Sequence, residues 1–471
     1  MHSVTAKSST GIKGLDDITG GGYPQGRSTL IAGNAGCGKT TFGMSFLIKG
    51  ITEDEPGVYV TLEETAEDIV ADMKSVGMDL RPLVEKGLLF ILRVDLSKVT
   101  LTEGGGYDIG TLFIHLADAI SSVGAKRVVV DTLDTLFSGV SDSGKLRLQL
   151  RGLLNWLKER GMTVVVTGEA GSENITRRGF EEYMADCVVA LDYRVTEEIS
   201  TRRLRVVKYR GSVHPSDEFP FLIDDEGITL IPITSLRLEY EPSGAFLSTG
   251  VQQFDEMMQG KGYAQGSSVL ISGTPGTGKT TLSMTCIDAA CRRGERCVYF
   301  GFEESAAQTM HNMKSVGLDV EQWVKKGLLQ VHAARVTMYG LERHLLTMHR
   351  IVDKFSPAIV VLDPMTALTD VGTVLQARSM VMRLIDFLKM RKVTTIFTDL
   401  IHQESLAVST EVQVSSLIDT WILLRDMEER YRRRRTLLIL KSRGIRHSNR
   451  LCELAMSESG ITLNPIEGKE A

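Results

Sequence analysis

The sequence contains no run of eighteen apolar residues, so nothing in it reads as a membrane-spanning helix. Its opening stretch, MHSVTAKSSTGIKGLDD, lacks the apolar core of a secretion signal, and a cytoplasmic location is the expectation. Six cysteines, at positions 37, 187, 286, 291, 297 and 452, form no CxxC pair. That argues against a zinc site and a disulfide framework and fits a reducing compartment. Basic charge is also short. Lys and Arg number 54 against 59 Asp and Glu, a net charge of −5, whereas a protein that works by coating a phosphate backbone should be basic. Nucleic acid is therefore not an expected partner. What is present is ordinary globular usage, 42% apolar and 24% charged, which excludes a wholly disordered chain. At 471 residues the chain is too long for one ordinary domain.

The length is explained by repetition. GNAGCGKTT (33–41) recurs as GTPGTGKTT (273–281), MKSVGMDL (73–80) as MKSVGLDV (313–320), and KGLL at 86 and 326, all at an offset of 240 residues. VVVDTLDTL (128–136) matches VVLDPMTAL (360–368) at 232, and KYRG (208–211) matches KSRG (441–444) at 233. The slip falls around TEGGGYDIG (102–110), a Gly-rich insertion in the first copy. The sequence thus divides into residues 1–235, a linker over 236–247 that contains EPSGAF, and residues 248–471. In each copy short β-branched runs alternate with helical stretches: STLIAG, VYVTL, RVVVD and TVVVTG, then SSVLISG, CVYFGF, AIVVLD and TTIFTD. Apolar runs of this length, buried on both faces and separated by helices, predict an α/β fold with a mostly parallel sheet flanked by helices.

The first repeated segment has the spacing of a phosphate-binding loop, Gly33-x-x-x-x-Gly38-Lys39-Thr40 and Gly273-x-x-x-x-Gly278-Lys279-Thr280, each after a strand and before a helix. Glycines, including Gly36 and Gly276, let the backbone curl so that several N–H groups face one phosphate. Lys39 and Lys279 neutralise the β- and γ-oxygens, and Thr40 and Thr280, followed by Thr41 and Thr281, open the helix. Asp131 and Asp363 end buried strands, where a carboxylate can hold Mg²⁺ together with the Thr40 or Thr280 hydroxyl. Glu63-Glu64 and Glu303-Glu304 follow the second strand of each copy. There they could take a proton from an attacking hydroxyl or water, or cap the next helix. Lys208/Arg210 and Lys441/Arg443 are K-x-R pairs on one strand face, suited either to the γ-phosphate of a neighbouring subunit or to a solvated strand edge. The basic run RYRRRR (430–435) lies between two apolar runs and reads as a hairpin tip. CRRGERC (291–297) reads as a helix end and strand start, and in Cys37 the backbone N–H matters more than the sulfur.

On both phosphate loops, both Glu-Glu pairs, both strand-end aspartates, KYRGSVH (208–214), KSRGIRH (441–447) and VSSLIDTWILL (414–424), the sequence resembles the KaiC family of RecA-like ATPases over nearly its whole length. The resemblance implies a tandem duplication of RecA-like P-loop NTPase domains, ATP and Mg²⁺ as ligands, and a homohexamer with ATP between subunits. It also implies an N-terminal domain that hydrolyses ATP and a C-terminal domain that autophosphorylates Ser415 or Ser416, with Thr410 at a further hydroxyl position of the segment. On that model Glu303 is the base for the neighbour's serine and Glu63 activates water, with Glu64 and Glu304 in support. The repeat agrees with a division of labour: at the 233 offset Ser415 and Ser416 correspond to Glu182 and Tyr183, which offer no aliphatic hydroxyl. A KaiB-like partner is consistent with the resemblance. KaiA stimulation is not expected, because only ITLNPIEGKEA follows Gly460, and a Ser-Ser pair replaces the family's Ser-Thr. The competing expectations are a RecA/RadA-like DNA-dependent ATPase, which the acidic balance disfavours, and a nucleotide-gated signalling scaffold.

Overall fold

The computed structural model describes residues 6–94, 109–136, 143–171, 174–196, 199–230, 243–401, 414–429, 432–457 and 460–466. Thr410, Arg430, Tyr431 and most of the Gly-rich insertion lie outside the described residues. The chain forms two compact units, Met1–Ser235 and Leu236–Ala471, with the same architecture.

In the first unit a nine-stranded sheet is built from β1 (Ser28–Gly33), β2 (Gly57–Thr61), β3 (Leu89–Arg93), β4 (Arg127–Asp131), β5 (Thr163–Glu169), β6 (Cys187–Thr196), β7 (Ile199–Tyr209), β8 (Phe219–Asp224) and β9 (Gly227–Leu230). Its spatial order is β3-β2-β4-β5-β1-β6-β7-β8-β9. Strands β3 to β6 along that order are parallel, and β7, β8 and β9 add antiparallel neighbours. The second unit repeats this with β10 (Ser268–Gly273), β11 (Cys297–Gly301), β12 (Leu329–Ala333), β13 (Ile359–Asp363), β14 (Thr394–Leu400), β15 (Thr420–Glu429), β16 (Arg432–Ser442), β17 (Cys452–Ser457) and β18 (Gly460–Pro465), in the order β12-β11-β13-β14-β10-β15-β16-β17-β18. The expected tandem of mostly parallel, helix-flanked sheets is what the chain forms.

The apolar runs explain the layering. Alternate residues of one strand enter different cores. Ile31, Tyr59, Val129 and Val165 pack with Phe42, Phe46 and Leu47 of the helix that follows β1 (Lys39–Ile51). Leu30, Val58, Val60, Val128, Val130 and Val164 pack with the opposite helical layer, including Leu116, Leu150, Leu153 and Leu157. Each fully buried Phe or Leu contributes roughly 1.5–3 kcal/mol, so the helix after β1 is held in place by its buried face. The parallel strands therefore end together on one edge of the sheet, and β1 and β10 lie at its centre.

Strands β15 and β16 form the hairpin expected around the basic run, with Glu429 opposite Arg432. Arg433, Arg434 and Arg435 are not at its tip, however: they pair along the arm with Glu428, Met427 and Asp426. Cys291 lies in the helix Lys279–Arg292 and Cys297 opens β11, as their spacing suggested.

Candidate functional site

The loop after β1 and the loop after β10 carry the same geometry. Gly38 and Gly278 cap the following helices at φ 101° and 96°, with no side chain on the cap. Gly36 and Gly276 turn at φ 74° and 81°. A Cβ on Gly38 would lie 2.3 Å from Ile223 Cδ1, and one on Gly278 2.0 Å from Met456 Cε. Only glycine suits this left-handed backbone, and the uncapped helix start leaves N–H groups for an anion. Gly33 and Gly273 end the strands. A Cβ on Gly33 would meet Cys37 Sγ at 2.5 Å, and one on Gly273 the Leu424 carbonyl at 2.6 Å. Cys37 is buried, and burial pushes its thiol up, so the sulfur is a packing group.

Lys39 Nζ donates to the carbonyls of Gly33 (2.8 Å) and Asn34 (3.1 Å), and Lys279 Nζ to those of Gly273 and Thr274 (both 2.9 Å). Both ammonium groups thus lie across their own loop. Burial lowers the pKa of Lys279, opposed by the negative charges of Asp363, Asp399 and Glu303. Thr40 and Thr280 follow these lysines, and Thr41 and Thr281 complete the first turn of each helix.

Asp131 and Asp363 sit at the same edge, at the ends of β4 and β13. Asp131 accepts hydrogen bonds from Thr40 Oγ1 (2.7 Å), Tyr59 OH (2.5 Å) and Thr167 Oγ1. Asp363 accepts from Tyr299 OH (2.7 Å) and Thr398 Oγ1. Burial, reinforced by the neighbouring aspartate, pushes both phenols well above the usual tyrosine range, so they stay protonated donors. The loop threonine and the strand-end aspartate expected to share a cation are in contact in the first unit. Both supply hard oxygen, the donor type Mg²⁺ takes. Among the described residues no group of three or more His, Cys, Asp or Glu is arranged to hold a metal.

The acidic pairs occupy the bend after the second strand of each unit, all four reaching solvent while Glu64 and Glu303 are partly shielded from it. They are not helix caps. Thr65 and Ser305 cap the following helices by accepting from the N–H groups of Asp68 and Gln308. Glu63 accepts from Thr135 Oγ1, and Glu304 accepts from Asn312 Nδ2 at 3.0 Å. Burial and then Asp363 raise the Glu303 pKa, with Lys279 pulling against them. Burial and then Asp131 raise that of Glu64.

The K-x-R pairs lie elsewhere. Lys208 Nζ donates to the carbonyls of Glu182 (2.9 Å), Tyr183 (3.2 Å) and Ala185 (2.7 Å), and Arg210 donates to that of Tyr183 (3.2 Å). Lys441 donates to the Ser415 carbonyl (2.9 Å) and Arg443 to the Ser416 carbonyl (2.7 Å). Each pair therefore grips one turn, and in the second unit that turn carries the two serines. The turn leads through Asp419 into β15. Asp419 N donates to the Ser268 carbonyl (2.9 Å), at the start of β10. The loop lies past Gly273, the other end of that strand. Five residue steps of about 3.3 Å separate the two ends by about 17 Å. Ser415, half-buried, and Ser416, exposed, are thus at the edge opposite their own phosphate loop.

Sequence reasoning missed the two phenols on the aspartates and a polar cavity of about 430 Å³ beside the first loop. Its lining includes Asn34, Asn174, Arg194, Arg203 and Glu218, with both arginines bonded to Glu218 at 3.0 and 3.3 Å. The basic hairpin arm is partly neutralised, Arg433 pairing with Asp426 at 2.5 Å.

The comparison with known proteins fits this geometry. The family model for the KaiC ATPase matches residues 8–235 and again 247–468. The chain belongs to the KaiC ATPase family. It is 47% identical over 462 residues to a protein of Synechocystis sp. named circadian clock protein KaiC2, covering 97% of this chain and 81% of that relative. It is 37% identical over 463 residues to the circadian clock oscillator protein KaiC of Synechococcus elongatus, covering 98% and 89%. Membership of an ATPase family implies that the chain binds nucleotide. Among the described residues no helix of this KaiC relative is long and apolar enough to cross a membrane.

Proposed function

We propose that both halves, residues 1–235 and 248–471 joined by 236–247, bind ATP with Mg²⁺, that the first half hydrolyses it, and that the second half phosphorylates Ser415 or Ser416 of an adjacent protomer in a homohexameric ring. The observation that carries this is the placement of donor and acceptor at opposite edges of one sheet. Ser415 lies at the far end of the strand from the Lys279 of its own unit, which supports an acceptor drawn from another copy. The acceptor edge also brings cations: Lys441 and Arg443 lie against the serine turn, where they would meet the γ-phosphate of the neighbour as it transfers.

In the second half Glu303 takes the proton from the serine hydroxyl. The serine Oγ–phosphorus bond forms as the bond from the γ-phosphorus to the β–γ bridging oxygen breaks, and ADP leaves with that electron pair. Lys279 balances charge on the phosphate oxygens. Thr280 and Asp363 would hold Mg²⁺, whose charge would further offset those oxygens. In the first half the turn gripped by Lys208 and Arg210 carries Glu182 and Tyr183 in place of the serines, so water is the acceptor, with Glu63 taking its proton and Lys39, Thr40 and Asp131 in the equivalent places.

A mixing experiment tests this. Glu303→Gln protomers keep the acceptor serines, and protomers with Ser415→Ala and Ser416→Ala keep the catalytic edge. After incubation of the mixture with MgATP, intact-mass spectrometry is expected to find a phosphate on the Glu303→Gln chains. Phosphate on neither variant in the mixture, while wild type gains it, would exclude transfer between protomers. A wild type that hydrolyses ATP and never gains 80 Da, the mass of one phosphoryl group, would remove the kinase activity altogether.

A further inference from the structure

We infer that Tyr59 and Tyr299 are positioning residues that set the carboxylate plane of Asp131 and Asp363. Both tyrosines are the middle residue of a five-residue strand and are almost fully buried, at 0% and 3% exposure. In register, Tyr59 stands opposite Val129 and Tyr299 opposite Val361, two residues before the aspartate on the adjoining strand. From there each phenol reaches along the sheet to carboxylate oxygen Oδ2, at 2.5 and 2.7 Å. The other oxygen, Oδ1, accepts from Thr167 or Thr398, on the strand at the opposite side. Each aspartate strand is thus flanked by one strand that supplies a phenol and one that supplies an aliphatic hydroxyl. With a donor from each flanking strand on its own oxygen, and Thr40 as a second donor on Asp131 Oδ2, rotation of the carboxylate would break at least one of these bonds. The arrangement appears twice, 240 residues apart for the tyrosines.

Packing alone does not call for this hydroxyl. Phenylalanine would fill the same core volume, and a buried phenol is costly unless it is hydrogen-bonded. In both units the hydroxyl donates its proton to the aspartate carboxylate. In metal sites the hydrogen-bonding partners behind a ligand orient it, and their loss typically weakens metal binding about 10- to 100-fold. The inference rests on the proposed role of Asp131 and Asp363 in holding Mg²⁺.

The test uses the full chain with ADP and Mn²⁺ as the spectroscopic substitute for Mg²⁺, free Mn²⁺ being read by electron paramagnetic resonance. Combined Tyr59→Phe and Tyr299→Phe substitutions are expected to weaken Mn²⁺ binding about tenfold or more. Affinity for a fluorescent ADP analogue in the presence of a chelator should stay unchanged. Thr167→Val with Thr398→Val should weaken Mn²⁺ similarly, and Thr167→Ser with Thr398→Ser should restore it. Tyr263→Phe, at a buried tyrosine of the same second-unit core, should have no effect. If Asp131→Asn with Asp363→Asn weakens Mn²⁺ binding and the tyrosine and valine variants stay within twofold of wild type, the positioning role is overturned and the metal role stands. If the asparagine variants also bind as wild type does, both are overturned.

Discussion

Replacing Glu303 by Gln is the most direct probe of the second site. The amide keeps the size of the side chain on the bend between β11 and the helix capped by Ser305, so the fold is not disturbed. It loses only the capacity to accept a proton. General-base assistance typically amounts to 10²–10⁴ in rate, or about 3–5 kcal/mol in the barrier, and that is the expected loss in phosphate incorporation. Nucleotide affinity should hold or rise slightly, because one negative charge leaves the surroundings of the triphosphate. The structure adds a pH signature. Burial and then the Asp363 charge raise the Glu303 pKa above 4.5, Lys279 opposing them. The carboxylate is the active form, so incorporation should rise with pH along an acid limb displaced above the ordinary glutamate range, and the amide variant should lack that limb. Intact mass followed over time with MgATP at a series of pH values measures both effects. Equal rates for wild type and variant, or an acid limb that survives the substitution, would exclude Glu303 as the base.

Charges outside the sites lead to two stability predictions. Arg127, 1% exposed, donates to Glu53, Glu55 and the carbonyls of Ser9 and Phe46. Arg127→Met strands those acceptors and should cost the first unit about 3 kcal/mol, the lower end for a broken buried pair because both glutamates retain access to water. Urea unfolding followed by Trp156 fluorescence, with Trp323 and Trp421 replaced by Phe, measures it, and a loss below about 1 kcal/mol would contradict the assignment. Asp419 anchors the serine turn. Burial raises its pKa, but the hydrogen bonds from Lys389 and from the Ser268 N–H outweigh burial and hold it below the ordinary value of 3.8. A group depressed in the folded state contributes stability above its unfolded pKa and loses it as pH falls through the folded one. The second unit should therefore weaken as pH falls below about 4, and Asp419→Asn should flatten that slope. Urea midpoints between about pH 5 and about pH 3 decide the matter, an unchanged slope in the variant counting against it.

The glycine loops were legible because a backbone that turns through positive φ at Gly36, Gly38, Gly276 and Gly278 is written into a few adjacent residues. The parallel strands were legible because burial on both faces leaves an unbroken apolar run, as in RVVVD. The antiparallel strands were read only in part, through the K-x-R pairs and the basic hairpin. In RRLRVVKY, Leu204 and Val206 are buried while Arg205 between them is exposed, so the run carries charge and does not resemble a core strand. The phenols were hidden for a different reason. Tyr59 and Asp131 meet only because two strands 72 residues apart align in one register, and no local pattern encodes that. Register also exposes a difference between the copies. Gly168 stands beside Ala32, and Asp399 beside Ser272, the equivalent residue of the second unit. The second site therefore has a fully buried carboxylate where the first has only backbone, and in the first Asp134 accepts from the next N–H, that of Glu169.

The two edges of the sheet also constrain assembly. If the phosphate loop of one protomer is completed by the K-x-R turn of another, the contacting surfaces are different patches, and the interface is heterologous. Such an interface leaves an unused loop edge at one end of any open row and an unused turn edge at the other. Association then continues until rotation closes the row into a ring or, failing closure, as a filament. Both units carry the same pair of edges, so each can form such a contact. The units need not be redundant, because they differ at the turn: Ser415 and Ser416 in the second, Glu182 and Tyr183 in the first. On this reading the repeated scaffold supplies assembly twice, and two residues in one turn decide whether a phosphoryl group is handed to water or kept.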